Sequence, residues 1–154
     1  MARDFGAKVV SVDRIHTMSA DVFSPNALGA ILNAETISTL NSPVVCGGAN
    51  NQLASAANGR DLLSRGITYV PDYVANAGGI INVMAEYLGE AADGVEARVR
   101  AIGPRVATIL EQARMEHRPS NDISDQLAQA LIDKAAAGRS QAARIRMTAA
   151  GKST

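Results

Sequence analysis

Apolar residues fall in short runs through the first half of the chain and at three- or four-residue intervals through the second. Ala2 to Phe5 read as the last turn of a helix, with Gly6 in the stopping position. Val9, Val10 and Val12 predict a short strand, and a weak helical turn follows around Asp13 to His16. Ala20 to Phe23 make the next strand, ended by Ser24-Pro25-Asn26. Glu35 to Leu40 form a short helix, Val44 to Cys46 a strand opened by Pro43, and Ala54 to Arg65 a helix closed by Gly66. Ile67 to Val70 complete a set of four strands. Strands alternating with helices imply crossover connections and a parallel sheet.

From Gly78 onward the pattern is helical. Val95, Val99, Ile102, Val106, Leu110 and Ala113 define one buried stripe over Val95 to Glu116. Pro104 interrupts it by removing a backbone donor and crowding the carbonyl of Arg100, which predicts a kink or two separate helices. Asn121 or Ser124 then caps a further helix whose face is Ile123, Leu127 and Leu131. Residues 137–154 carry Arg139, Arg144, Arg146 and Lys152 with no acid, and read as a disordered basic tail.

Two stretches break the apolar pattern in the same way. Val44 to Leu53 (V-V-C-G-G-A-N-N-Q-L) and Tyr69 to Tyr87 (Y-V-P-D-Y-V-A-N-A-G-G-I-I-N-V-M-A-E-Y) each run from a strand into glycine and asparagine. In an open parallel sheet such loops lie beyond the carboxyl ends of the strands, where ligands bind. Glycine lets backbone approach a ligand, and side-chain amides offer both donors and acceptors to a carboxamide or a ribose hydroxyl. Asn50, Asn51 and Asn76 therefore suit a nicotinamide ribose better than a pyrophosphate. The plain alternative is that Asn and Gly here only make turns and helix caps.

Composition narrows the choices. The 154 residues suit one domain, and with three tyrosines, two phenylalanines and no tryptophan the core must be aliphatic. Fifteen basic residues balance fifteen acidic ones, so no overall field drives binding to nucleic acid, and the tail lacks the aromatics that stack on bases. No stretch approaches the roughly 20 apolar residues of a membrane span, and the opening M-A-R-D-F-G-A-K is too charged for a signal peptide. The single cysteine, Cys46, fits a reducing cytoplasm and reads as a packed thiol.

Several apparent signals carry no chemistry. Gly151-Lys152-Ser153 copies the end of a phosphate loop, but Arg146 stands where that loop needs glycine. None of the thirteen glycines falls in the G-x-G-x-x-G spacing of a pyrophosphate turn. His16 and His117 belong to no spaced metal-ligand cluster. Asp72 and Glu86 flank the glycine turn, where an acid and base pair is one reading, and a helix-start carboxylate with a solvated partner the other.

With these loops in hand, the chain resembles the cofactor domain of the leucine, valine and phenylalanine dehydrogenases, a branch of the glutamate dehydrogenase superfamily. The matching segments are Ala20 to Gly29 (A-D-V-F-S-P-N-A-L-G), Val44 to Leu53, and Tyr69 to Val83, in the family's order and spacing, with similarity from about Gly6 to Ala136. The resemblance implies an α/β fold, a partial Rossmann-like parallel sheet with C-terminal helices over residues 1–136. The family's reaction is reversible oxidative deamination of an L-amino acid to a 2-oxo acid with NAD. The resemblance further implies that Ala27 and Leu28 touch the cofactor near its ribose. Gly48, Ala49 and Asn50 line the nicotinamide ribose, with Asn50 also reaching the substrate, and Asn76 holds the carboxamide. Ile80 and Val83 match positions that meet the substrate side chain.

The same resemblance marks what is not found. Family members carry a substrate domain with the proton-transferring lysines and aspartate, then a glycine fingerprint with an acidic residue for the adenosine ribose; neither is located in this chain. Asn26 stands where a cysteine is usual. The expectation is therefore the carboxyl-terminal portion of an NAD-dependent dehydrogenase for a branched-chain or apolar amino acid, cut inside a helix and inactive alone. Its expected partners are the amino acid and 2-oxo acid, within a homo-oligomeric, cytoplasmic parent, with no metal. The alternative is a non-catalytic Rossmann-like interaction module that associates through an open sheet edge.

Overall fold

The structure, a computed structural model, describes the backbone of residues 2–150 and the side chains of residues 4–138. Three strands, β1 (Val22–Phe23), β2 (Val44–Val45) and β3 (Thr68–Tyr69), form a parallel sheet in the order β1-β2-β3. Val22 pairs with Val44 and Val44 with Thr68, while Phe23, Val45 and Tyr69 form the next row. That second row is buried, and with Leu32, Ile37 and Leu62 it makes the main core. The fold is thus α/β with a parallel sheet, as the strand and helix alternation implied.

Between the strands lie α2 (Ala34–Thr39) and α3 (Asn58–Ser64). Asn33 caps α2: its Oδ1 accepts from the backbone N–H groups of Glu35 and Thr36, each at 3.0 Å. α3 ends at Gly66, whose φ of 68° is the left-handed turn that glycine adopts without a Cβ clash. After β3 come α4 (Asp72–Ala75), α5 (Gly78–Leu88), α6 (Ala92–Arg100), α7 (Ile102–Glu116) and α8 (Ser120–Ala150), with α1 (Ala2–Phe5) at the start.

Several expectations change and others are sharpened. Val9 and Val12 are 82% and 85% exposed and form no strand, while the helical turn expected around Asp13 to His16 is present as a 3-10 helix over Val12–Thr17. No neighbouring strand is described there to complete a hydrogen-bond ladder, and Asp13 takes the Ser11 hydroxyl, which favours a turn. Pro104 does separate two helices, but the break falls at Ala101, so the proline lies in the first turn of α7, where its missing N–H costs nothing. The buried stripe runs through Ile109 and Ala113, whereas Val99 is exposed. α8 begins at Ser120, ahead of both suggested caps, and its backbone continues as helix through Ala150. It thus covers part of the stretch read as a tail; the side chains from Arg139 on, and residues 151–154 with the phosphate-loop lookalike, lie outside the described residues.

A second core joins Val74 of α4 to Ile109 and Ala113 of α7 and Ile123 of α8. One polar clamp ties α8 to the sheet and another ties it to α4. The Ser120 hydroxyl donates to the Tyr69 carbonyl at 2.6 Å, and the Tyr73 hydroxyl donates to Asp125 Oδ1 at 2.6 Å.

Burial, and then the facing Asp72, push the Tyr69 phenol well above its ordinary value, while burial and the bond to Asp125 do the same for Tyr73. A raised folded-state value stabilises the protein only while both states stay protonated. Stability should therefore hold up to about pH 10 and fall as the pH climbs above it, because the unfolded chain ionises first. Urea unfolding across that range should show a steep alkaline loss that flattens in a Tyr69→Phe, Tyr73→Phe double variant; equal slopes in both proteins would contradict the assignment.

Candidate functional site

Parallel register sets the carboxyl ends of the three strands side by side, so the loops that follow them meet. The first and second interlock through backbone: the Ala49 N–H donates to the Pro25 carbonyl at 2.9 Å and the Ala30 N–H to the Asn51 carbonyl at 2.7 Å. A Cβ at Gly47 would fall 2.2 Å from the Pro25 carbonyl oxygen, and one at Gly29 would fall 2.8 Å from that of Asn50. These two glycines are what let the loops approach. Ala30 and Asn51 hold φ values of 58° and 54°, a left-handed backbone that costs an alanine about 1 kcal/mol. The bond between those two residues fixes that conformation.

Side chains complete the join. Asn26 Oδ1 accepts from the Gly48 N–H at 2.8 Å while its Nδ2 donates to the Ser24 carbonyl at 2.9 Å. From the third loop, Asn76 Nδ2 donates to Asn50 Oδ1 at 2.6 Å and, at 3.4 Å, to the Gly48 carbonyl. The two asparagines singled out in sequence are thus in direct contact, 26 residues apart. Among the described residues this leaves Asn50 Nδ2 and Asn76 Oδ1 without a protein partner. One amide donor and one amide acceptor then sit together in an exposed, uncharged setting, the complement that a neutral carboxamide or hydroxyl requires.

The remaining expected site residues surround this pair unevenly. Gly48 is in it; Ala49 is 4% exposed, with its N–H committed to Pro25. Ala27 and Leu28 lie on the first loop, Leu28 fully accessible. Ile80 and Val83 lie on the exposed side of α5, in a row with Met84 and Tyr87 at i, i+3, i+4 and i+7. A cleft of about 340 Å³ opens elsewhere, between α3 and α7, lined by Leu63, Ile67, Leu110 and Arg114, and it does not include the asparagines.

Behind the pair lies a buried layer in which the sequence reading singled out Asp72 and passed over Gln52. Gln52 Nε2 donates to the carbonyls of Gly47 at 2.8 Å and Ala49 at 3.0 Å, and its backbone N–H donates to Asp72 Oδ2 at 3.4 Å. Asp72 also accepts from the Tyr69 hydroxyl at 3.2 Å. Asp72 is therefore a buried helix-start carboxylate, while Glu86 stays on the surface with Asn82. The two form no acid and base pair. His16 contacts Thr39, and among the described residues no group of three His, Cys, Asp or Glu could hold a metal ion.

The family model described as glutamate/leucine/phenylalanine/valine dehydrogenase matches residues 2–138. The chain is 42% identical over 131 residues to a leucine dehydrogenase of Thermoactinomyces intermedius, covering 85% of this chain and 36% of that protein. It is 40% identical over 125 residues to a valine dehydrogenase of Streptomyces albus, covering 81% of this chain and 34% of that protein. The crystal structure of an L-tryptophan dehydrogenase from Nostoc punctiforme superposes with a TM-score of 0.81 at 39% identity, over 86% of this chain and 41% of that one. The chain thus spans little more than a third of the length of the curated relatives it matches. The chain therefore belongs to the glutamate/leucine/phenylalanine/valine dehydrogenase family, and the relatives just named are amino-acid dehydrogenases.

Proposed function

We propose that the chain is the carboxyl-terminal, nicotinamide-facing portion of an NAD-dependent dehydrogenase that deaminates a branched-chain or other apolar L-amino acid, and that it is inactive alone. The carrying observation is the contact of Asn76 with Asn50 and Gly48 at the ends of adjacent parallel strands. When bound, the nicotinamide accepts the hydride from the amino acid's α-carbon. This chain's own residues perform the positioning: Asn76 holds the carboxamide, Gly48, Ala49 and Asn50 line the nicotinamide ribose, and Ala27 and Leu28 flank the ribose from the first loop. Asn50 also reaches the substrate, and Ile80 with Val83 offers an aliphatic wall to its side chain. Holding the reacting groups in register is a large part of such a rate enhancement, and fixed amides on strand ends supply it. The two amides are uncharged and partly exposed, which fits a neutral carboxamide better than a phosphate.

The proton-moving groups that such a deamination needs are not among the residues assembled here. The chain has no tryptophan, so reduced nicotinamide fluorescence reads binding without an indole background. NADH should bind the chain, an Asn76→Ala variant should bind it about tenfold or more weakly, and L-leucine with NAD should give no turnover. Equal affinity in the variant, or leucine oxidation by the chain alone, would contradict the assignment.

A second reading, a non-catalytic module that associates through an apolar surface, draws support from the exposed row Ile80, Val83, Met84 and Tyr87. Sedimentation velocity separates it: association at micromolar concentration that is lost in an Ile80→Ser, Val83→Ser variant favours the module, and a monomer throughout excludes it.

A further inference from the structure

We infer that Gln52 is the positioning residue of this site: its buried carboxamide sets the loop that presents Asn50 and locks that loop to the helix that presents Asn76. The inference takes only its ligand from the proposed function; the contacts stand on geometry alone. Gln52 is fully buried, and its Nε2 spends both protons on the carbonyls of Gly47 and Ala49, at 2.8 and 3.0 Å. Those carbonyls belong to the peptide before Gly48 and the peptide after Ala49, so one amide holds both ends of the Gly48-Ala49 segment, whose Gly48 carbonyl faces Asn76. The loop at this point is glycine-glycine-alanine and has no larger side chain with which to hold its own shape.

The orientation of the carboxamide follows from its partners. Turned over, it would set Oε1 against two carbonyl oxygens, acceptor against acceptor, so only one arrangement satisfies the loop. The backbone of the same residue extends the tie: its N–H donates to Asp72 Oδ2 at 3.4 Å and its carbonyl accepts from the Leu32 N–H at 2.9 Å. The carbonyl of Asp72 in turn accepts from the Asn76 N–H at 2.8 Å. A single residue therefore joins the loop of Asn50, the helix of Asn76 and the end of the first loop.

Packing alone does not account for an amide at this place. Among the described residues Gln52 Oε1 is buried with no hydrogen-bond partner. A methionine of the same length would fill the space without burying that acceptor, so the amide is a liability unless its two donors matter.

A Gln52→Met variant of the full chain keeps the volume and removes the donors. In nitrogen-edited NMR spectra the backbone signals of Val45, Ile109 and Ile123 should stay in place, while the side-chain amide of Asn76 moves toward the position of a free amide and NADH affinity falls about tenfold. A folded variant with unchanged Asn76 and Asn50 amide signals would overturn the inference. Should the variant fail to fold, the unaltered chain still decides: the Gln52 side-chain protons should exchange with solvent far more slowly than those of free glutamine, and exchange at the free rate would overturn it. If the unaltered chain binds no NADH, the proposed function fails while the amide shifts still judge Gln52.

Discussion

The structure depends on one constraint, the parallel register of three very short strands. Each contributes two residues to the ladder, so the sheet by itself supplies few hydrogen bonds. What it supplies is direction: parallel strands release their chains on the same side, and three polar loops must share one small region. There they satisfy one another rather than water, through Pro25 with Ala49, Asn26 with Gly48, and Asn76 with Asn50. The buried row Phe23, Val45 and Tyr69 anchors the strands beneath these contacts, and each such side chain contributes about 1.5–3 kcal/mol by leaving water.

This arrangement explains why small and amide residues crowd the loops. Gly29 and Gly47 stand where a Cβ would strike the neighbouring backbone, and Ala30 and Asn51 accept a left-handed conformation so that the chain can turn back on itself. Strain of this kind persists where surrounding bonds over-determine the backbone. The reward is a rigid, uncharged surface on which an amide donor and acceptor stand ready. Rigidity would serve the proposed role, in which a hydride passes between two carbons that must be held in line.

Much of this was legible in the sequence because it follows from residue type and order. Alternating strands and helices gave the parallel sheet, and the repeated break into glycine and asparagine located the loops whose amides meet. Pro104 announced two helices. Other features depend on neighbours that a pattern does not contain. Val9 and Val12 have the composition of a strand, yet a strand exists only beside a partner, and none is described there. Gln52 reads as one more polar residue after two asparagines, and only its complete burial reveals its role. Ile109 was passed over for its neighbour Leu110 because both stand three or four residues from Val106 and Ala113, so spacing alone does not tell them apart; Ile109 is the one fully buried.

Membership of the family is set by homology across nearly the whole chain, but the chain's part in the chemistry rests on whether those loops grip a dinucleotide. A crystal structure of the chain with NADH tests this most directly. The account predicts the nicotinamide carboxamide within hydrogen-bond distance of Asn76 and the adjoining ribose against Asn50 and Gly48. A dinucleotide bound elsewhere, or Asn50 and Asn76 turned away from one another and from the ligand, would contradict it.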